Sequence, residues 1–565
     1  MGRTSTWMLL LCAMSCKPSP QGYDVVDVEV DDTDEEDTDG DREGPIDDAP
    51  LFDADHLVEV DISLDAGDWG SLRGQSRDLF DVLLGDCMAA PFPSPFTYFE
   101  ATATVDGEVI DGIGLRKKGM FGSLSTDKPS LKIKTDWFVD DQFLENGTER
   151  LTLNNNVQDP SMINQCIGYS VFAAAGLPAP RCNFAAVTVN GENLGVYTHI
   201  EALKKDFLER HFTDPDGDLY EGAMSDFYPG WTGTFDPKTD DTDVDMQIVH
   251  EITAILELPD DELLDALGDL VDLPRLYRFM AVEALIGHLD GFGFNQNNYA
   301  IYRDPGTGLV TFIPWGADTL FADAETTEAV FVKAWLAQRL WDVPEARDAY
   351  VEAMEGVLAN AWNEEGLLAE IDRMEALISP HVHDPNAVAV GMDGARAFIE
   401  ARRAVVESQL AFLDGMPVQE RRPASICYED LGEIIVRFDT LYDTLESDPY
   451  AYDGALTGES IPVNLLVGST AGSDGVGGVI VSTVGQTQDG EALYRVSATL
   501  RSGLGVGTHW LDFGSTGLSR VDADLPGDPG EQLGIVIGSV TLTEIGENPG
   551  DAVVGTIEGT VLGGL

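Results

Sequence analysis

The sequence has few basic residues for its length. It carries 33 Lys and Arg against 100 Asp and Glu, which gives a formal net charge of -67 at pH 7. With so little Lys and Arg, the chain cannot displace many counterions from phosphates, so we expect no nucleic-acid partner. The acidic excess is compatible with salt adaptation or with cation binding, and composition does not choose between the two.

Long hydrophobic runs are also missing, so no later stretch is predicted to be a transmembrane helix. The first sixteen residues, MGRTSTWMLLLCAMSC, place a short apolar core after Arg3 and a small residue before Cys16, as a secretory signal does. The Cys at the cut site resembles the lipobox of bacterial lipoproteins, which implies that Cys16 is acylated and anchors the chain in a membrane. A secretory signal without lipid is the alternative. We therefore expect export, and Lys17 favours the outer membrane or cell surface because it is not the usual Asp retention signal.

Cysteine is scarce, with six in 565 residues. Beyond Cys12 and Cys16, an even set of four remains: Cys87, Cys166, Cys182 and Cys427. In an exported protein these four can form disulfides, and the sequence does not rank their three pairings. None shows CxxC or Cys/His spacing, so a structural zinc site is not expected.

Composition divides the chain into four parts. Residues 1–16 are the predicted signal peptide, and the acidic residues 17–55 are predicted to be a disordered tether. Residues 56–420 mix strand and helix patterns. Residues 428–565 are rich in Gly, Thr, Val and Asp, which predicts a small all-β, sandwich-like domain. The predicted fold class is α+β.

Strand patterns dominate the first half of the mixed region. Leu57–Leu64 alternates as a strand, and Thr97–Gly119 and Phe184–Glu201 are predicted hairpins turned at Asp-Gly and Asn-Gly. A loop rich in Gly and Ser precedes Leu131–Thr135, a strand with both of its lysines on one face.

Helical patterns dominate the rest of this region. Asp159–Gly176 is predicted to be a helix, capped by Asp159 and ended by Gly176. From Lys204 to about Met416 the pattern is mostly helical. A hairpin formed by residues 297–303 and 309–315 is the predicted exception.

Short polar side chains crowd the segment GHLDGFGFNQNNYAIYRDP that precedes this hairpin. His288, Asp290 and Asn295 have the H-x-D-x4-N spacing of phosphoryl-transfer catalytic loops, in which the Asp accepts a hydroxyl proton and the Asn holds Mg²⁺. Asp318, at the end of IPWGAD, can supply a carboxylate oxygen to the same metal. Such residues also serve ordinary turns. The order of elements, from a Gly/Ser loop and a Lys-bearing strand to this loop and a final Asp, favours a kinase-like two-lobed fold.

Five segments together resemble the CotH family, the spore-coat protein H-type atypical protein kinases. They are RKKGMFGSLSTDKPSLKIK, LTLNNNVQDPSM, GLPAPRCNFAAVTVNGENLGVYTHIE, DGFGFNQNNYAIYRDP and FIPWGADTLF. The resemblance runs from about Thr97 to about Phe321, with helices to about Met416 completing the domain. It implies a divergent protein-kinase fold that uses ATP with Mg²⁺ or Mn²⁺ to phosphorylate Ser or Thr of envelope or secreted proteins.

The resemblance also implies roles for individual residues. Asp290 matches the catalytic Asp, Asn295 assists catalysis and metal binding, and Asp318 matches the metal-binding Asp. Lys128 or Lys132 would meet the α- and β-phosphates. The other nucleotide contacts would come from Arg116, Glu201, Asn298 and Trp315.

Two positions depart from the family pattern. Asn164-Gln165 stands where the helix commonly carries Arg-Glu, and in kinases that Glu pairs with the strand Lys. Gly316 stands where the family often has an Asp. The alternative function is therefore a catalytically inactive, surface-anchored binding or scaffold protein that keeps the CotH fold.

A third possibility depends on the segment TDPDGDLYE. Its carboxylates could hold Ca²⁺, as in a calcium-stabilised adhesin, although an ordinary turn has the same composition. The residues concerned are Asp214, Asp216, Asp218 and Glu221.

Overall fold

A computed structural model of the chain describes residues 47–77, 82–239, 242–413 and 427–442, and within the C-terminal part residues 454–456, 463–473, 479–487, 493–500, 504–511, 516–521, 531–546 and 548–563. Cys16, the signal peptide and most of the predicted tether lie outside these residues. The described residues fall into two compact units. One contains residues 47–77 and 88–413, and the other contains residues 82–87 and the described residues from 427 onwards.

The first unit begins with a closed barrel of seven strands. They are β1 (Leu57–Ser63), β2 (Phe99–Val105), β3 (Glu108–Lys118), β4 (Ser130–Lys134), β5 (Arg150–Asn154), β6 (Cys182–Val189) and β7 (Glu192–Ile200). Their order around the barrel is β1-β2-β3-β4-β5-β7-β6, closed by parallel pairing of β6 with β1. Both predicted hairpin turns are confirmed, since Asp106-Gly107 and Asn190-Gly191 each adopt positive φ at both residues, as two-residue hairpins favour.

Alternate side chains of the barrel strands fill its interior. Leu115 of β3 and Ile133 of β4 are fully buried in one apolar core with the other strands. Successive strand residues face opposite sides, so Arg116, Lys118 and Lys132 lie on the outer face of the barrel. The strand register places Arg116 directly opposite Lys132.

Residues 47–55, which the sequence assigned to the disordered tether, are folded against the barrel. Ala49–Phe52 forms a 3₁₀ turn with Leu51 buried. Asn183 Nδ2 donates to three backbone carbonyls between residues 51 and 56, and Asp48 forms an ion pair with Arg181. The tether boundary at residue 55 is therefore corrected, because an apolar side chain and paired polar groups stabilise this segment.

Two helices accompany the barrel, α1 (Ala66–Gly74) and α2 (Asn164–Ala174). The sequence predicted that α2 begins at Asp159, but Met162 adopts a φ of +64° and delays the helix to Asn164. Asp159 still satisfies the helix start, because its Oδ2 accepts the Asn164 N–H (2.8 Å). Gly176, with a φ of +74°, ends the helix region as predicted.

The rest of this unit is mainly helical. The helices are α3 (Lys205–His211), α4 (Gln247–Leu256), α5 (Asp260–Gly268), α6 (Leu273–Ile286), α7 (Phe292–Asn295), α8 (Trp335–Asp342), α9 (Pro344–Asn360), α10 (Glu364–Ile378) and α11 (Pro385–Leu410). Short 3₁₀ turns occur at Phe121–Ser123 and Ser379–His381. Among the described helices, none has both the length and the apolar character needed to cross a membrane.

A four-stranded antiparallel sheet lies among these helices. It contains β8 (Asp218–Gly222), β9 (Phe235–Pro237), β10 (Tyr299–Arg303) and β11 (Val310–Pro314), in the order β11-β10-β8-β9. The β10–β11 hairpin is confirmed, whereas β8 and β9 fall in a region predicted to be helical. A second apolar core, separate from the barrel interior, joins this sheet to the helices through contacts such as those of Phe279 with Phe292 and Phe312. The two-lobed arrangement itself stays a prediction.

Arg402 of α11 is a fully buried arginine within this second core. Its guanidinium donates to the backbone carbonyls of Ala284 and Leu285, at the end of α6, and to those of Ala324, Thr327 and Glu328. These bonds join α11, α6 and the segment of residues 324–328.

The second unit is all-β, as predicted. Its strands are β12 (Glu429–Leu441), β13 (Gly454–Leu456), β14 (Val463–Ser473), β15 (Val479–Thr487), β16 (Leu493–Leu500), β17 (Gly507–Leu511), β18 (Thr516–Val521), β19 (Glu531–Ile545) and β20 (Ala552–Gly563). They form one sheet, β13-β12-β20-β19-β18-β16-β15-β14, with β17 paired to β19, and not the two sheets of a sandwich. Ile434 of β12 and Ala471 of β14 belong to the same core although their strands lie near opposite ends of this order, so the sheet curls around its own apolar face.

Two disulfides pair the four remaining cysteines. Cys87 bonds to Cys427 within the second unit, and Cys166 of α2 bonds to Cys182 of β6 in the first. The first bond joins a short segment, residues 82–87, to the C-terminal sheet, where Leu84 also pairs with Tyr428. This selects one of the three pairings that the sequence left open.

Candidate active site

Asp290 lies in the loop between α6 and α7, and three asparagine amides hold its carboxylate. Asn295 and Asn297 donate from Nδ2 to Oδ1, the latter at 3.3 Å, and Asn298 donates from Nδ2 to Oδ2 at 2.7 Å. Both carboxylate oxygens are therefore fixed in orientation. The crowd of short polar residues in this loop serves to hold one acid in place.

Two buried groups support this loop from α6 and from its own start. Glu283 accepts the N–H groups of Phe292 (2.7 Å) and Gly293 (2.9 Å), and His288 Nδ1 lies 3.5 Å from Glu283 Oε1. Burial raises the pKa of Glu283 to about 8 and lowers the pKa of His288 to about 3. Near neutral pH, Glu283 therefore holds its proton and His288 is uncharged. The predicted His of the motif is a structural support for the Asp290 loop.

Asp318 follows β11 on a turn that packs against the Asp290 loop. Gly316 in this turn has a φ of +49°, and a Cβ there would lie 2.2 Å from Asn298 Oδ1. His288 Nε2 also lies 3.5 Å from the Gly316 carbonyl oxygen. The glycine that departs from the family pattern is thus required by the close approach of the two loops.

Asp290 and Asp318, which we call the carboxylate pair, interact electrostatically. The pKa of Asp318 rises to about 7, chiefly because of burial and then because of the negative charges of Asp290 and Asp159, while Lys118 acts in the opposite direction. A carboxylate whose proton affinity is raised by a neighbouring negative charge favours a cation nearby. The structure therefore brings together the two acids that the sequence singled out.

Lys118 of β3 interacts electrostatically with Asp318 of this pair. The sequence alone did not identify this lysine. Its Nζ donates to Asn154 Oδ1 (2.6 Å) and lies 5.8 Å from the centroid of the Trp315 ring. Burial lowers its pKa to about 8, against the opposing effect of the Glu221 and Asp318 charges. Trp315 thus lies beside Lys118, and its contact with nucleotide stays a prediction.

The N-terminus of α2 contacts both halves of the site. Asn164 Nδ2 donates to the carbonyl oxygen of Asp318 (2.8 Å), and Gln165 Oε1 accepts from Asn154 Nδ2 (2.9 Å). Through Asn154, Gln165 is connected to Lys118. Asn164 and Gln165, which depart from the family pattern, therefore contact different sides of the site: Asn164 bonds to the Asp318 turn, and Gln165 bonds to the partner of Lys118.

Two lysines, Lys128 and Lys132, were predicted to bind the nucleotide phosphates, and neither takes the position that Lys118 has beside Asp318. Lys128 Nζ donates to the Val196 carbonyl (2.7 Å) over the Tyr197 ring, so this lysine holds the β3–β4 loop to β7. Lys132 shares the outer barrel face with Lys118. We therefore correct the prediction for Lys128, because its ammonium is committed to the barrel wall.

Arg116 is on the same barrel face as Lys118. Its guanidinium lies 5.0 Å from the centroid of the Tyr98 ring, and its positive charge lowers the pKa of Lys118. Together with Lys132 it gives this face a positive charge in an otherwise acidic protein, which suits a phosphate-bearing ligand.

Glu201 does not face this cluster. Its buried carboxylate forms ion pairs with Arg181 and Arg210, and Arg181 reaches on to Asp48. We correct the nucleotide-binding prediction for Glu201, because this ion-pair network accounts for both carboxylate oxygens.

The structure gives the calcium hypothesis no support. Asp214 Oδ1 accepts the Asp216 N–H, Asp216 pairs with Lys205, and Asp218 Oδ1 accepts a backbone N–H. Glu221 lies in β8, 3.1 Å from Lys238. Within the described ranges there is no cluster of three or more His, Cys, Asp or Glu suited to a metal ion.

Lys118, Asn154 and Asp159 are the site residues that sequence reasoning missed. Strand alternation was the available signal for Lys118, because a buried Leu115 places residues 116 and 118 on the opposite face. No comparable local signal identifies Asn154 or Asp159, whose roles depend on contacts with α2 and Asp318.

Comparisons with known proteins agree on one family. The family described as CotH kinase protein matches residues 115–406. Inner spore coat protein H of Bacillus subtilis is 27% identical over 254 residues, which cover 42% of this chain and 69% of that protein. Spore coat protein homolog 1 of Rhizopus delemar is 25% identical over 199 residues, 32% of each protein.

Among solved structures, the Helicobacter pylori proinflammatory kinase CtkA aligns with a TM-score of 0.27 at 10% identity, over 53% of this chain and 95% of that chain. Because this TM-score is low, the family assignment depends on the sequence match across residues 115–406.

Proposed function

The chain belongs to the CotH family, and from this premise we propose that it is an ATP-dependent protein kinase with its active site at the carboxylate pair. The proposed reaction transfers the γ-phosphate of ATP to a Ser or Thr hydroxyl of envelope or secreted proteins. The acceptor oxygen bonds to the γ-phosphorus as the bond to the departing ADP oxygen breaks.

The observation that carries this proposal is the pairing of Asp290 with Asp318, together with a half-buried lysine, Lys118, whose charge interacts with Asp318. Asp290 is fixed by three amides, Asp318 is held through its backbone by Asn164, and Lys118 interacts electrostatically with Asp318. Phosphoryl transfer depends on positioning and on charge stabilisation, and this arrangement can supply both.

Each residue has a distinct part in the proposed reaction. Asp290 accepts the proton of the acceptor hydroxyl, and its asparagine partners keep the carboxylate oriented for that transfer. Lys118 supplies positive charge to the phosphates, and Arg116 and Lys132 add to the positive barrel face. Trp315 forms an apolar wall beside Lys118.

The donor set fits Mg²⁺ or Mn²⁺ bound together with a nucleotide. Mg²⁺ is usually held by one or two carboxylates plus substrate phosphates, and Asp318, whose pKa is raised by burial and by the neighbouring negative charge of Asp290, supplies such a carboxylate. Asp318 would hold the ion, with the Asn295 side-chain oxygen as a further ligand, and Asp290 would accept the hydroxyl proton. When bound, the metal would neutralise charge on the phosphates.

The test is phosphate transfer by the purified protein with labelled ATP and Mn²⁺ or Mg²⁺, with the chain itself and dephosphorylated casein as acceptors. We expect Asp290→Asn and Asp318→Asn each to lower transfer at least about 100-fold, since each removes a charge used in the transition state. Asp393→Asn, an exposed acid on α11, is the control and should retain activity.

Nucleotide binding separates this proposal from the inactive scaffold. ATP with Mn²⁺ should raise the melting temperature of the wild-type protein, because a ligand that binds the folded state stabilises it. If millimolar ATP causes no rise and no label is transferred, the kinase proposal is wrong and the binding or scaffold function is favoured.

We also propose that the protein is exported and anchored by lipid at Cys16. The support is the N-terminal sequence, which lies outside the described residues, together with four cysteines that pair as two disulfides. Cys16→Ser should release the protein from the membrane fraction of expressing cells. Continued membrane retention of this variant would exclude the anchor.

A further inference from the structure

The contact between Lys118 and α2 contains no acidic group. Lys118 Nζ donates to Asn154 Oδ1, and Asn154 Nδ2 donates to Gln165 Oε1. Because an ammonium group can only donate, this order of donors and acceptors fixes both amide orientations. The three side chains, which we call the amide relay, therefore have one consistent hydrogen-bond arrangement.

The relay is buried at its far end and comes from three different elements. Lys118 ends β3, Asn154 ends β5, and Gln165 is in the first turn of α2. Gln165 is 1% exposed, and its Nε2 makes no hydrogen bond among the described residues. Leaving the buried Nε2 group without a hydrogen bond costs free energy. The orientation that presents the Gln165 oxygen to Asn154 is therefore maintained at a cost, which indicates that this acceptor matters.

No carboxylate in the described part of the chain lies within salt-bridge distance of Lys118. Glu221 and Asp318 act on it only through longer-range electrostatic interaction. If a carboxylate were in direct contact with this lysine, its negative charge would neutralise the positive charge of the ammonium group. Here the charge remains available to an anionic ligand.

We infer that Asn154 and Gln165 are positioning residues that hold Lys118 by neutral hydrogen bonds, in place of a lysine–carboxylate ion pair, so that its charge is reserved for the phosphates of bound nucleotide. This inference rests on the proposed function, since it needs a nucleotide at the site. It gives Gln165 a role in an active protein, where the sequence alone suggested lost activity.

The relay predicts different outcomes for substitutions that are similar in size. Gln165→Leu removes the acceptor, so Asn154 is no longer held and Lys118 loses its orientation. Gln165→Glu keeps an oxygen acceptor for Asn154 and should preserve the relay. Asn154→Asp places a carboxylate in contact with Lys118 and creates the ion pair that the native protein avoids.

The experiment measures binding of Mn²⁺·ATP to the full-length variants by calorimetry, together with KM and kcat for transfer. We expect Gln165→Leu and Asn154→Asp each to raise Kd and KM for ATP roughly tenfold, an effect of the size of one charged hydrogen bond, with a smaller change in kcat. Gln165→Glu should stay within about threefold of wild type.

A control separates positioning from general destabilisation. Asn183→Leu removes a buried amide of the same type, but one that binds residues 51–56 and does not contact Lys118. It should lower the melting temperature and leave Kd for Mn²⁺·ATP unchanged. If Gln165→Leu does not fold, the comparison uses Asn154→Asp alone, because that variant retains polar side chains throughout the relay.

The outcomes distinguish this inference from the proposed function. If wild type binds Mn²⁺·ATP and all relay variants bind equally well, the relay inference is wrong and the kinase proposal stands. If wild type binds Mn²⁺·ATP with the predicted order of variants but transfers no phosphate, the relay stands and the kinase proposal fails. If wild type does not bind nucleotide, both are wrong.

Discussion

Replacing Arg402 with Met should destabilise the first unit strongly. The guanidinium is fully buried, and the described residues place no carboxylate in contact with it. All of its hydrogen bonds go to backbone carbonyls, which Met cannot satisfy. The chain near residues 284–285 and 324–328 would therefore lose a shared donor.

The magnitude can be worked out by counting the carbonyls that lose their donor. Ala284 O also accepts from Gly287 N–H (3.3 Å), and Thr327 O also accepts from Gln409 Nε2 (3.2 Å). The carbonyls of Leu285, Ala324 and Glu328 depend on Arg402. Each unsatisfied buried acceptor costs about 1–3 kcal/mol, and removing a buried unpaired charge returns about 1–4 kcal/mol, so we expect a net loss of about 4 kcal/mol.

Urea unfolding followed by tryptophan fluorescence measures this loss. Seven of the nine tryptophans lie between residues 69 and 362, so the signal reports mainly on the first unit. The matched control is Arg396→Met on the same helix, where a partly exposed guanidinium meets three surface carboxylates. Surface ion pairs contribute about 0–1 kcal/mol, so this variant should change little. Equal unfolding midpoints for the two variants would refute the assigned role of Arg402.

Three further predictions concern the site. Gly316→Ala should lower kcat at least about tenfold, because its Cβ would displace Asn298. Gly308→Ala is the control, since Gly308 is also at positive φ but lies in open space; it should cost only about 1–2 kcal/mol of stability and leave kcat unchanged. Equal kcat values for the two variants would contradict this. Glu283 has its pKa raised from about 4.5 to about 8, so the folded state binds the extra proton between these values and stability falls as pH rises through that window. Glu283→Gln should remove a pH-dependent contribution on the order of 5 kcal/mol, so its melting temperature should vary less than that of wild type between pH 5 and pH 9, and parallel curves would count against the assignment. Chelation of divalent metal should abolish the ATP-induced rise in melting temperature, because the carboxylate pair then repels the phosphates; an undiminished rise would show that nucleotide binds elsewhere.

Local sequence signals predicted what local geometry determines. The Asp-Gly and Asn-Gly turns needed positive φ at adjacent residues, and each formed the expected hairpin. The spacing of the Asp290 loop and the turn after β11 singled out Asp290 and Asp318, two acids whose charges interact in the folded chain, while their roles in a reaction stay predictions. These features depend on a few residues that are adjacent in sequence, which is why pattern reasoning was sufficient.

Features that depend on distant partners were not predictable in the same way. β8 and β9 are only five and three residues long, and they form because β8 pairs with β10, about 80 residues later. Lys128 was misassigned because the carbonyl group that its ammonium contacts, that of Val196 in β7, meets it only in the folded chain. Glu201 was misassigned because the two arginines that pair with it, Arg181 and Arg210, meet only in the folded chain.

The bond between Cys87 and Cys427 has a practical consequence for proteolysis. A single cut at any peptide bond between residues 88 and 426 leaves two fragments that remain covalently joined, and they separate on a gel only after reduction. Deleting everything after residue 413 would instead leave Cys87 as a free thiol, open to cross-linking between copies in an oxidising compartment. Shortened forms of this protein should therefore also replace Cys87.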